Sequence, residues 1–271
     1  MTSIQPVPLP AALQVVSGVS DPIAAALATA QSDVVLFMSE HDEKDKWKIG
    51  QFALNHMGWP PNAAAEGAEL LLLHAISGTR TPGGVDAAKF WASHGMVDVW
   101  EPYLKQYQLT HSPRQAAAAA RLLHDTLDQV NTYTQIGKAA AGRKRPYVTD
   151  PTLEVAVDKP GNNPSYPSGH TSSAYAGAIV MSYLMPQLKD QFMTMALQIA
   201  YSRVYAGVHF PSDVAAGAKI AAEISTYLCA TSHIDTMEAG VPVPQKPHGK
   251  GRGQARHRGH LAHSPRSAHA G

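Results

Sequence analysis

Apolar positions along this chain recur mostly at the three- and four-residue spacings of helices, and few stretches alternate as strands do. Residues 114–141 are predicted to form one long helix, in which Leu123, Leu127, Val130, Thr134 and Lys138 follow each other at spacings of four, three, four and four. Lys138 therefore ends an inward stripe. A second helix is expected over 171–184, stopped by Pro186. A third, over 190–205, carries Phe192, Met195, Ala196, Ile199 and Ala200 on one face, which Arg203 prolongs. Two cations thus fall on apolar faces, where unpaired charge is costly, and each implies a buried anionic partner. Upstream, 22–31 reads as a short first helix and 41–48 as a solvated helix start or turn. Residues 152–157 are the best strand candidate, and the four tryptophans of the first hundred residues read as core and lid packing.

A chain of 271 residues can bury one sizeable core, so one domain with a tail is the simplest organisation. The near-neutral net charge of +1 is wrong for a nucleic-acid reader, but it conceals an asymmetry. Residues 246–271 hold six cations, five histidines and no acid; residues 1–245 hold 16 cations against 21 acids, a net charge of −5. The Pro-, Gly-, Arg- and His-rich tail cannot build a core, which predicts disorder and a polyanion-contacting or solubilising role. Cys229, the single cysteine, excludes an intramolecular disulfide and reads as a buried small hydrophobe. No run of about 18 uncharged apolar residues occurs, so no membrane-spanning segment is expected and the protein reads as soluble. The N-terminus lacks the basic region of a secretory signal, which would leave a complete chain in the cytoplasm.

Chemistry concentrates in three clusters: Lys138 with Arg145-Pro146; Pro167-Ser168-Gly169-His170; and Ser202-Arg203 with His209 and Asp213. Two guanidinium forks, an ammonium, a hydroxyl and a glycine at a helix start are what a tetrahedral oxyanion such as phosphate needs. Neutral imidazole is a nucleophile and imidazolium an acid near neutral pH, so two histidines can divide attack on phosphorus from protonation of the leaving oxygen. Asp213, four residues after His209 and beyond the helix start marked by Pro211, could hold the His209 ring in the attacking tautomer.

These clusters, Lys-x6-Arg-Pro, Pro-Ser-Gly-His and Ser-Arg-x5-His-x3-Asp, resemble the complete three-part signature of the type 2 phosphatidic acid phosphatase (PAP2) superfamily. Residues 165–171 and 202–209 are most similar to the soluble bacterial class A non-specific acid phosphatases. Eleven identities at fixed internal spacing make accident negligible. The resemblance implies an all-α, single-domain helical bundle, with residues 111–232 as catalytic core, 1–110 as a helical cap region and 233–271 as disordered tail. It implies a metal-independent acid phosphatase in which His209 is phosphorylated and His170 is the general acid. Lys138, Arg145, Ser168, Gly169 and Arg203 would hold the phosphoryl oxygens of a small phosphorylated substrate. No cofactor is required, although vanadate is expected to occupy the phosphate site. The same resemblance favours a periplasmic or secreted location. Two rival readings use the same residues: a vanadium haloperoxidase, whose first motif usually has a longer gap than the six residues here, and a non-catalytic phosphate- or polyanion-binding module.

Overall fold

The computed structural model describes residues 8–234; the basic tail, with the disorder and polyanion contacts expected of it, lies outside the described residues. Within them the architecture is all-helical. In chain order the α-helices are α1 (Ser17–Glu40), α2 (Ile49–His56), α3 (Ala63–Gly78), α4 (Pro82–His94), α5 (Glu101–Thr110), α6 (Pro113–Ala141), α7 (Pro146–Thr149), α8 (Gly169–Leu184), α9 (Lys189–Tyr205) and α10 (Pro211–Ala230).

The three helices expected in the second half form with boundaries shifted by one or two residues. Local chemistry explains their ends: Ser112 and Gln115 make a reciprocal capping box at the start of α6, Pro113 occupies its first turn, and Gly142 closes it in the left-handed conformation at φ 58°. Helix α8 is buried nearly all round, as a helix without a single charged residue beyond His170 should be. It packs against α6, α9 and α10, with α1 laid along α10, α4 on α9 and α5 on α6. The fully buried indole of Trp100 rests on Gly177, where a Cβ would stand 2.2 Å from Nε1. Lys138 and Arg203 are both buried, at 3% exposure each, as the stripes predict.

Several expectations change. The short first helix is 24 residues long and runs through Pro22, because its inward residues Val19, Ile23, Ala30, Val34 and Phe37 dock on α10 and that tertiary support outweighs the lost hydrogen bond. Residues 22–39 carry only one charge, Asp33, so α1 is long and apolar enough by length and composition to cross a membrane. The expectation of no membrane-length segment, which tolerated no charge at all, is corrected accordingly. No strand forms at 152–157: the Ala156 amide bonds to the Ala206 carbonyl of a loop, and no neighbouring extended segment continues the ladder among the described residues. Trp91 and Trp100 are core residues, but Trp47 and Trp59 are 66% and 72% exposed. Cys229 is buried.

Candidate active site

Four elements meet around one buried cluster of charge. The last turn of α6 supplies Lys138, and the segment beyond Gly142 supplies Arg145. The start of α8 brings Ser168, Gly169 and His170, the last turn of α9 brings Arg203, and His209 and Asp213 flank the start of α10. Ser168 Oγ caps α8, accepting from the Thr171 amide at 3.4 Å and from Thr171 Oγ1 at 3.0 Å, so its own proton is left to donate elsewhere. The Gly169 and His170 amides, in the first turn, have no intrahelical acceptor. Two glycines make the assembly possible. Gly217 lets α10 approach the Ser168 loop, where a Cβ would lie 2.6 Å from the Ser168 carbonyl oxygen. Gly207 takes φ 77° in the turn after α9, with the Glu154 carbonyl 2.9 Å from where a Cβ would be.

His209 is fully enclosed, and its tautomer follows from its partners. Arg145 Nη1 stands 2.9 Å from Nε2, and guanidinium can only donate, so Nε2 accepts and Nδ1 carries the proton. That proton faces Asp213 Oδ2 at 3.2 Å. Asp213 Oδ2 also accepts from the Phe210 amide (2.8 Å) and Ser165 Oγ (2.5 Å), and its Oδ1 accepts from Arg143 Nη1 at 2.7 Å. Burial opposes the Asp213 charge, but His209, Arg143 and Ser165 together hold its carboxyl below the usual range. Burial, reinforced by Arg145, pushes His209 well below the ordinary histidine value, with Asp213 opposing.

The cations are short of anions. Arg203 Nε and Nη1 are buried without a hydrogen-bond partner, and burial, then Arg145, lowers its pKa to about 10. Lys138 Nζ donates to the Pro164 carbonyl at 2.6 Å, and its pKa falls to about 7 through burial first and Arg145 second. Arg145 Nη1 also donates to the Val208 carbonyl at 2.8 Å and Nε to the Asn163 carbonyl at 2.9 Å. Lys138 and Arg145 thus have carbonyl oxygens rather than carboxylates as hydrogen-bond acceptors, and gathering three desolvated cations in this way favours a multiply charged anion as ligand. His170 Nε2 stands 3.0 Å from the Ala92 carbonyl, which it meets as a donor, and its pKa is lowered to about 4 by burial and by Arg203. At that value the His170 ring is neutral near pH 7. The site opens through a cavity of about 660 Å³ lined by Lys89, Ala92 and Ser93 of α4, by residues 155–158, and by Pro160, His170 and Arg203.

All eight site residues expected from sequence lie in this cluster. Ser202 instead turns to the Ile199 carbonyl at 2.6 Å, within its own helix. Sequence reasoning missed Ser165 as a partner of the His209–Asp213 pair, and it missed Arg143, which is buried against Asp213. It also missed Glu66 and Glu69 of α3, which bind Arg143 at 3.0 Å each. No local signal marks these acids, whose role depends on where α3 packs.

The scaffold is all-α among the described residues and gathers two His, an Asp, a Lys and two Arg into one buried cluster. Residues 118–234 match the family model described as PAP2 superfamily, and the chain carries a PAP2 superfamily domain. It is 41% identical over 64 residues to a non-specific acid phosphatase of Providencia stuartii, covering 24% of this chain and 26% of that one. It is 38% identical over 53 residues to a lipid A 1-phosphatase of Rhizobium etli, covering 20% and 23% respectively. The chain thus spans about a quarter of the length of these relatives. A transmembrane PAP2-type phosphatidylglycerolphosphate phosphatase from Bacillus subtilis shares the fold with TM-score 0.50 and 16% identity, over 72% of this chain and 97% of that one. These findings overturn the expectation of a soluble periplasmic, secreted or cytoplasmic protein. The similarity extends to a lipid A phosphatase and to a transmembrane enzyme, and α1 has the length and apolar composition of a span.

Proposed function

We propose that this protein is a phosphatase that hydrolyses phosphomonoesters through a phosphohistidine at His209, with cationic side chains rather than a metal ion neutralising the phosphoryl oxygens. The observation that carries the reading is the state of His209: Nδ1–H is directed at Asp213 and the Nε2 lone pair is held by Arg145 inside a pocket whose Arg203 donors are unpartnered. An incoming phosphate dianion would draw the Arg145 and Arg203 forks onto its oxygens and free Nε2 for in-line attack. The same dianion offsets the repulsion of Arg203, Arg145 and Lys138 on His170, raises its pKa, and makes it a proton donor to the leaving oxygen. Water then attacks the phosphohistidine while the now neutral His170 takes its proton; the phosphorus–Nε2 bond breaks, phosphate leaves, and both histidines regain their starting states. Concentrated positive charge, worth most where water is excluded, stabilises the transition state.

Turnover of p-nitrophenyl phosphate by the full chain, with and without chelator, tests the proposal together with acid quenching and mapping of the phosphorylated residue. Expected are chelator-resistant turnover, label on His209, and competitive inhibition by vanadate, whose five-coordinate form mimics the transferring phosphoryl group. Turnover that needs an added divalent ion, or label on another residue, would overturn it.

A further inference from the structure

The segment after α6 carries Arg143, Lys144 and Arg145 in succession, and the cluster uses two of the three. Burial alternates along this stretch, and Arg145, which precedes α7, is extended. Arg143 and Arg145 are buried while Lys144 is exposed. Arg145 reaches Nε2 of His209; Arg143, whose side chain is only 4% exposed, reaches Oδ1 of Asp213 at 2.7 Å. The His209–Asp213 pair is thus gripped at both ends by arginines two residues apart.

Arg143 in turn is fixed from every side. Its Nε donates to Glu66 at 3.0 Å, its Nη2 to Glu69 at 3.0 Å and its Nη1 to Ser212 Oγ at 2.8 Å, and its guanidinium lies 3.8 Å above the Phe210 ring. Glu69 also accepts from the Ser212 amide and hydroxyl, so a strut runs from α3 through Arg143 to the first turn of α10. The charged groups facing Asp213 are Arg143, His209, Lys138 and Arg145; those facing Arg143 are Asp213, Glu66 and Glu69.

We infer that Arg143 is a positioning residue for the reaction proposed above, on which this inference rests: by pairing with Asp213 it keeps that carboxylate ionised and aimed at Nδ1 of His209, and so presents Nε2 as the nucleophile. Without Arg143 the enclosed carboxylate takes up a proton more readily, Nδ1 loses its acceptor, and the ring becomes free to place its proton on Nε2.

The test uses Arg143→Met and Arg143→Lys in the full chain. For Arg143→Met, kcat on p-nitrophenyl phosphate should fall on the order of a hundredfold, with KM changed by less than about threefold. Losing a neighbouring positive charge makes the His209–Asp213 pair bind a proton more easily, so the acid limb of the kcat profile should move to higher pH. Lysine at 143 keeps the charge but cannot fork to both Asp213 and Glu69, and should recover about tenfold of the loss. Imidazole nitrogen NMR should show the His209 proton on Nδ1 in the parent and mixed tautomers in Arg143→Met. Parent-like kcat and acid limb in Arg143→Met overturn the inference, as does reduced activity with unmoved pH limb and tautomer, which is the mark of a merely structural residue. If Arg143→Met does not fold, Arg143→Lys decides: an unchanged rate and limb overturn the inference. If the parent chain hydrolyses no ester, the phosphatase reading fails, and the tautomer shift alone supports or overturns the role of Arg143.

Discussion

Replacing Asp213 by Asn is the most informative single change in the site, because the carboxylate accepts on both oxygens and an amide cannot. Oδ2 faces three donors, the Phe210 amide, Ser165 Oγ and His209 Nδ1–H, and Oδ1 faces Arg143. With the Asn nitrogen at the Oδ2 position it meets the Phe210 and His209 N–H groups; at the Oδ1 position it meets the Arg143 guanidinium. One orientation turns His209 to the Nε2–H tautomer, which has no lone pair for phosphorus, and the other leaves a buried arginine against a donor. In serine proteases the equivalent change costs about four decades of kcat through the wrong tautomer, or about 5.4 kcal/mol of barrier. A loss of two to four decades is expected here. Breaking a buried ion pair costs about 3–5 kcal/mol, and because Glu66 and Glu69 still hold Arg143, the stability loss should fall at or below the low end of that range. Phosphate binding should persist, since Lys138, Arg145 and Arg203 are untouched. The assay pairs kcat for p-nitrophenyl phosphate with the inhibition constant of inorganic phosphate and with chemical denaturation. A variant that folds, binds phosphate and turns over within tenfold of the parent would refute the tautomer argument.

Three further outcomes are expected. His170→Ala should slow an alkyl phosphate at least tenfold more than p-nitrophenyl phosphate, whose leaving group needs little protonation; equal losses would remove the general-acid role. Gly217→Ala pushes a Cβ to 2.6 Å from the Ser168 carbonyl oxygen, so denaturant titration should show about 1–3 kcal/mol of destabilisation, with weakened phosphate inhibition because the Ser168 loop must move. Glu223 is enclosed beside Lys219 and Asp33, and burial raises its pKa from 4.5 to about 8. Because the folded value exceeds the unfolded one, the native state binds the extra proton, and this contribution is full below about pH 4.5 and lost as pH rises through about 8. Glu223→Gln should flatten that part of the Tm–pH curve, and an unchanged slope would count against a protonated Glu223.

The sequence by itself determined the helical class, the three helices of the second half and the eight residues that gather around the buried charge cluster. These features are local or periodic. The four-three-four-four stripe ending in Lys138 needs only the helical repeat to place an ammonium inside, and the Ser168 cap, the Ser112 box and Pro211 mark helix starts by their own chemistry. Tertiary structure alone decided the rest. Whether residues 152–157 form a strand depends on a partner strand, which the fold does not provide there. Whether α1 stops at Gln31 or runs to Glu40 depends on α10 being available to cover its apolar face. Arg143 resembles Lys144 in sequence, and it becomes part of the site because α3 brings Glu66 and Glu69, from more than seventy residues away, against the same turn that holds Asp213. The pKa values follow the same division: the residue types fix which groups can titrate, but burial and the neighbours gathered by packing set His170 near 4 and Lys138 near 7.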